Sequence, residues 1–255
     1  MRPNKIKQMW GEGKYVTLGW LSVSHGFTAE VMARQGFDAL CVDMQHGTTD
    51  MSDVWPMLQA ISQTDTVPVV RVPWNDPATI MKALDLGAYA IIVPLINNAE
   101  DAAKAVSACR YPPVGMRSSG PVRAVHYAGS DYLAKANDEI VVMAMIETKD
   151  GLANLDAICA TPGLDAIYIG PSDLSFALGL APRGDNPDPV HIATCDKIRD
   201  AAHKRGIKAV MHCASAAFAA GAVKRGFDMI MLTSDLASMV AGARRQLDDL
   251  KAATA

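Results

Sequence analysis

Two acids, a histidine and an arginine each stand at or just behind the end of a short apolar run in this 255-residue chain. Glu147 follows Ile140 to Ile146, and Asp173 follows Ala166 to Ile169 after a Gly-Pro-Ser step. His46 follows Ala39 to Val42 within Val42-Asp43-Met44-Gln45-His46-Gly47, and Arg71 lies within Val67 to Val72. Apolar runs of this length read as strands, and the ends of parallel strands in a closed sheet meet at one mouth. Glu147 and Asp173 then form a carboxylate pair with no Cys or His beside them. That donor set suits a hard divalent cation, Mg²⁺ or Mn²⁺, with Co²⁺ or Zn²⁺ as further candidates, and leaves positions for substrate oxygens. Taken alone, each acid could instead cap the helix behind it. Imidazole ordinarily titrates near neutral pH, so His46 suits a general base, although an isolated His as often bonds a loop backbone. Arg71 is permanently charged at the end of an apolar strand and requires an anion: Asp43 or Asp76 within the protein, or a substrate carboxylate or enolate. Asp85 closes a helix just before Gly87, where an acid opposes the helix dipole; solvation on the helix surface is the default reading, and His46 is its candidate partner otherwise. His191 and Cys195 have i, i+4 spacing but no third ligand nearby. His212-Cys213 sits at a strand end and can line a pocket.

The elements that must position these residues alternate regularly. Strand-length apolar runs fall at Val16 to Trp20, Ala39 to Val42, Val67 to Val72, Ala90 to Val93, Ile140 to Ile146, Ala166 to Ile169, Lys208 to Met211 and Met229 to Leu232. Most are apolar throughout, as in parallel strands covered on both faces. Between them lie stretches of helical period, including Ser52 to Ile61, Pro77 to Leu86, Ala99 to Cys109 and Ser215 to Arg225. Asp76 before Pro77 is a good N-cap followed by a good first helical residue. Gly36, Gly87, Gly163 and Gly226 precede the second, fourth, sixth and eighth runs, where a left-handed helix stop is expected. Residues 1–255 therefore read as one (β/α)₈ barrel in a single domain. An open doubly wound sheet is the alternative, and it lacks a G-x-G-x-x-G after the first strand. Tyr111 to Ser130, which carries Arg117, Arg123 and His126, and Gly179 to Pro189 are too long for simple connections and read as functional loops.

Composition narrows the class. Apolar residues are 50% and charged residues 20%, enough for a sizeable core. Twenty-four Lys and Arg against 27 Asp and Glu give a net charge of −3, with no basic surplus for nucleic acid. The five cysteines include no C-x-x-C pair, which fits a reducing compartment. With no apolar run approaching ~18 residues and charges throughout Met1 to Lys14, no signal peptide or membrane span is expected, and a cytoplasmic location is the corresponding expectation.

Five collinear segments carry a family likeness: Val42-Asp43-Met44-Gln45-His46-Gly47, Val70-Arg71-Val72-Pro73-Trp74-Asn75-Asp76, Arg110-Tyr111-Pro112-Pro113-Val114-Gly115-Met116-Arg117, Ile146-Glu147-Thr148-Lys149 and Ile169-Gly170-Pro171-Ser172-Asp173-Leu174-Ser175. Together they resemble the HpcH/HpaI aldolases, metal-dependent (class II) pyruvate aldolases related to 4-hydroxy-2-oxoheptanedioate aldolase. The resemblance implies a (β/α)₈ barrel, a homohexamer with an exchanged final helix, and cleavage of a 4-hydroxy-2-oxoacid to pyruvate or hydroxypyruvate plus an aldehyde. By position it implies Glu147 and Asp173 as metal ligands, His46 as base, Arg71 as the transition-state arginine and Asp85 as the acid that supports His46. It also implies substrate contacts at Ser172, Asp173, Gln45 and Arg123. Two positions depart from the family: Gln45 replaces a common Glu, and Met145 replaces a common Gln. The Asp-Met-Gln-His-Gly form is closer to the hydroxypyruvate- and pyruvate-using hydroxyketoacid aldolases. No strand-end lysine offers a Schiff-base nucleophile. Outside this reading stand a citrate-lyase-like carbon–carbon lyase acting on acyl-CoA and a non-catalytic ketoacid-binding barrel.

Overall fold

The computed structural model describes residues 1–254. Eight strands follow the expected runs: β1 (Val16–Leu21), β2 (Ala39–Asp43), β3 (Val67–Arg71), β4 (Ala90–Val93), β5 (Val141–Ile146), β6 (Ala166–Ile169), β7 (Lys208–His212) and β8 (Met229–Ser234). Each pairs in parallel with the next, and β8 returns to β1, so the sheet closes as a (β/α)₈ barrel. Several strands outrun their apolar residues. β2 takes in Asp43, β7 takes in His212 and β8 takes in Ser234. The ladder bonds backbone to backbone, so a polar side chain at a carboxyl end does not stop it.

Register fixes which side chains point inward. Trp20 lies opposite Cys41, Asp43 opposite Arg71, Met145 opposite Tyr168, and Tyr168 opposite Val210. Side chains alternate between the two faces of a strand. Trp20, Asp43, Arg71, Met145, Tyr168 and His212 therefore share the inner parity, and Glu147, one residue past β5, continues it.

The helices start and stop where local chemistry requires. Asp76 accepts from Thr79 N–H and opens helix Pro77–Asp85, and Ser215 accepts from Phe218 N–H to open Ala216–Lys224. Gly36, Gly87, Gly163 and Gly226 all have φ between 81° and 102°, the left-handed stop that a side chain would strain. The segment from Tyr111 to Ser130 is not wholly a loop. It contains helix Val122–Ala128, whose short apolar-and-basic run is masked in sequence by the Pro and Gly residues before it. Gly179 to Pro189 is irregular until Pro189 opens helix Pro189–Lys204. The final helix, Asp235–Thr254, buries only Asp235, and it exposes Leu236, Met239, Val240, Leu247 and Leu250. Among the described residues no helix is long and apolar enough to cross a membrane.

Candidate active site

Asp43 organises the carboxyl end of the barrel. Its Oδ1 accepts from Arg71 Nε at 2.8 Å and from Gln45 N–H at 3.1 Å, and its Oδ2 accepts from Arg71 Nη2 at 2.6 Å and Trp20 Nε1 at 3.1 Å. The arginine lies over the Trp20 ring, 4.8 Å from its centroid. Burial alone would weaken the Arg71 charge, and the paired Asp43 carboxylate more than offsets it, leaving the guanidinium firmly protonated. Of the two structural partners open in the sequence, Asp43 and not Asp76 takes the arginine. Asp76 is spent on the N-cap.

Past this pair the mouth opens into a cavity of about 260 Å³ lined by His46, Arg71, Met145, Glu147, Ser172, Asp173 and His212, among others. Glu147 is 3% exposed. One oxygen, Oε1, accepts at 2.9 Å from the N–H of Leu95, a residue held at φ 55° just after β4. The other, Oε2, lies over Gly170, where any Cβ would collide with it. Burial, with a further push from Asp173, raises the Glu147 carboxyl to about 7, against the opposing Leu95 N–H and Arg71. Asp173 and Ser172 occupy the first turn of helix Pro171–Ala177, directly behind β6. His46 is exposed on the turn that Gly47 closes at φ 100°.

The floor of the cavity holds a second polar group. Tyr168 Oη and His212 Nδ1 are 2.7 Å apart, and Trp20 meets the His212 ring edge-on with centroids 5.1 Å apart. Burial, helped by Arg71, pushes the His212 imidazole down to about 4, and burial pushes the Tyr168 phenol well up, so both are neutral near pH 7. Strand-end position alone places His212 at the pocket. It misses Tyr168 and Trp20, and inner parity across the register is the signal that finds them. Gly184, from the Gly179-to-Pro189 segment, also lines the cavity. That segment is tied down by Asp185 Oδ1, which accepts from Ala214 N–H at 2.6 Å, and by Asn186 Nδ2, which donates to Ser175 Oγ at 2.9 Å.

Five expected residues, His46, Arg71, Glu147, Ser172 and Asp173, thus share one cavity, and three do not. Asp85 does not reach His46. Helix Pro77–Asp85 runs antiparallel to the strands and delivers Asp85 to the amino face of the barrel, where Arg117 Nη2 holds it at 2.8 Å. That ion pair answers the acid's unfavourable place at a helix end. Arg123 lies on the same face, donating to Leu86 O and, at 2.7 Å, to Ser62 Oγ, beside a separate cleft of about 340 Å³. Gln45 is not among the cavity-lining residues, and its Oε1 is buried with no partner among the described residues. His191 and Cys195 meet at 3.6 Å, with His191 Nε2 against Pro171 O, and serve packing.

The cavity chemistry fits a hard cation. Two carboxylates converge, one of them buried with an oxygen free of protein partners, and Gly170 leaves room beside it. Among the described residues no three His, Cys, Asp or Glu side chains cluster as a metal site, so a cation would draw two ligands from the protein and the rest from water and substrate.

Residues 17–241 match the family model described as HpcH/HpaI aldolase/citrate lyase. The chain is 41% identical over 249 residues to a hydroxypyruvate/pyruvate aldolase of Rhizorhabdus wittichii, covering 98% of this chain and 99% of that protein. It is 39% identical over 189 residues to a 5-keto-4-deoxy-D-glucarate aldolase of Escherichia coli, covering 73% of each. Among solved structures, an HpcH/HpaI aldolase/citrate lyase family protein from Burkholderia cenocepacia superposes with a TM-score of 0.90 at 31% identity, over 97% of this chain and 99% of that one.

Proposed function

The chain belongs to the HpcH/HpaI aldolase/citrate lyase family, and from that premise we propose that it is a divalent-metal-dependent aldehyde-lyase that reversibly cleaves a 4-hydroxy-2-oxoacid to pyruvate or hydroxypyruvate and an aldehyde. The observation that carries this reading is the convergence of Arg71, Glu147, Asp173 and His46, from four separate strand ends, in one cavity.

Glu147 and Asp173 would hold the cation, Mg²⁺ or Mn²⁺, which when bound polarises the 2-oxo group and steadies the negative charge left as the C3–C4 bond breaks. Arg71 is fixed by Asp43 and by the Trp20 face before any substrate arrives. Its charge therefore meets the developing enolate without reorganisation, the preorganised electrostatic contribution that is usually the largest. The N–H groups at the start of helix Pro171–Ala177, at Ser172, suit the substrate carboxylate. His46 presents an imidazole to the cavity. In cleavage it takes the proton of the C4 hydroxyl, and in synthesis it takes one from C3 of the donor.

Asp85 and Arg123 lie on the amino face of their own barrel and can join a mouth only across a subunit boundary. The homohexamer implied by the family, with the apolar side of helix Asp235–Thr254 covered by a neighbour, is the assembly in which they would do so. The proposed setting is the cytoplasm. The test is retro-aldol release of pyruvate or hydroxypyruvate from a panel of 4-hydroxy-2-oxoacids with Mg²⁺ or Mn²⁺. Turnover that survives exhaustive EDTA treatment, or that is unaffected in Glu147→Gln and Asp173→Asn, would overturn the reading.

A further inference from the structure

His212 is a polar residue of the cavity to which the proposed reaction gives no role. Its ring is fixed on two sides, by Tyr168 at Nδ1 and by the Trp20 ring. The Tyr168 hydroxyl is wholly buried, and His212 Nδ1 is its one hydrogen-bond partner among the described residues. A buried hydroxyl must donate its proton, so Tyr168 donates to Nδ1. Nδ1 is then an acceptor, and the proton of the neutral imidazole resides on Nε2. Nε2 bonds nothing among the described residues and is not among the fully buried atoms left without a partner, and His212 lines the cavity. The result is an uncharged N–H donor with a fixed tautomer and a fixed direction.

We propose that His212 is a specificity-determining residue that donates from Nε2 to a hydroxyl oxygen of the substrate, and that Tyr168 is the positioning residue that fixes this donor. The assignment rests on the aldolase reading. The charged groups of the cavity (Arg71, Glu147 and Asp173) are matched to charge, whereas a neutral N–H is matched to a neutral oxygen. Met145, which also lines the cavity, offers no comparable donor. Two sources supply the same chemistry: a hydroxyl on C3 of the 2-oxoacid donor, or one on the carbon next to the aldehyde.

The experiment uses the full-length protein with Mn²⁺ and measures kcat/KM for four aldol pairs, pyruvate or hydroxypyruvate with acetaldehyde or glycolaldehyde. The wild type is expected to prefer a hydroxylated partner. His212→Phe is expected to cut that preference about tenfold, roughly the worth of one hydrogen bond. His212→Gln, which keeps an N–H donor, should restore most of it. Tyr168→Phe, which frees the imidazole to change tautomer, should lower it while His212 is intact. A change confined to the donor ratio places the hydroxyl on the oxoacid, and one confined to the acceptor ratio places it on the aldehyde. No preference in the wild type, or equal ratios in the wild type and His212→Phe, overturns the assignment and leaves the aldolase reading standing. Absence of turnover for every pair in the wild type overturns the aldolase reading, and this assignment with it.

Discussion

Alanine at Gly170 separates the shape of the candidate metal centre from the stability of the barrel. Gly170 has φ −90° and ψ 100°, a backbone open to any residue, so Gly170→Ala introduces no backbone strain. Its new Cβ would collide with Glu147 Oε2, with Met145 Cε at 3.0 Å and Glu147 Cδ at 3.5 Å. Ordinary heavy-atom contact lies near ~3.5 Å, so the carboxylate must move by roughly 1 Å. It has little freedom to do so: Glu147 is 3% exposed and its other oxygen is held by Leu95 N–H at 2.9 Å. A misplacement of ~1 Å at a reacting centre costs about 10²-fold in rate. Overpacking itself costs about 1–3 kcal/mol, a fall of several degrees in Tm. The expected result is about a hundredfold loss in kcat/KM for retro-aldol cleavage, weaker Mn²⁺ binding by calorimetric titration, and a barrel that still melts cooperatively. Gly170→Ala with wild-type Mn²⁺ affinity and turnover would refute the assignment of Glu147 Oε2 to the cation.

Removal of divalent cations with EDTA should abolish aldol cleavage, and added Mn²⁺ should restore it in the wild type but not in Glu147→Gln, as followed by coupled pyruvate release. Asp43→Ala strips a buried arginine of its partner and should cost about 3–5 kcal/mol in urea unfolding. The double variant Asp43→Ala/Arg71→Met should regain much of that stability and no activity, whereas equal losses in both would argue against the ion pair as the cause. Glu147 carries a sign that can be checked in cation-free protein. Its carboxyl sits at about 7 in the fold against an ordinary 4.5, chiefly through burial, so between those values the folded chain keeps a proton that the unfolded chain releases. Stability should therefore be fully present below about 4.5, fall by roughly 3 kcal/mol as pH rises through about 7, and then level off. Glu147→Gln should remove that component, and urea midpoints of the two proteins that run parallel from pH 4 to 8 would contradict it.

Much of this site is legible in sequence because a parallel barrel converts strand order into spatial order. An acid after β5 and another after β6 must be neighbours, whatever the loops do. The same logic fails for residues carried on helices. Asp85 closes helix Pro77–Asp85, and a helix reverses the direction of the chain, so it is delivered to the opposite face. Arg123, near the start of helix Val122–Ala128, is held on that face by Leu86 O and Ser62 Oγ, which strand order alone does not show. Residue type also misleads at strand ends. Trp20 and Tyr168 lie inside strands that read as apolar filler, and only pairing register shows that they share the inner face with Asp43 and Arg71. Leu95 has no sequence signal at all, because its role is carried by a backbone N–H in a left-handed conformation that leucine rarely adopts.

The two ties that pin the Gly179-to-Pro189 segment bear on how this protein could be redirected. Asp185 fastens the segment to the chain after β7, and Asn186 fastens it to the helix after β6. Neither tie touches Arg71, Glu147 or Asp173. The stretch is in effect a cassette with clasps at both ends, since Leu180 N–H also bonds Ser175 O at 2.8 Å: residues 181–184 can be varied in polarity to reshape the rim, provided the clasps stay. Gly184 sets the limit, since a Cβ there would stand 3.1 Å from that of Ala214, and a side chain at that point would begin to close the cavity. A library confined to this stretch would reshape the cavity rim at Gly184 while Arg71, Glu147 and Asp173 below are inherited intact.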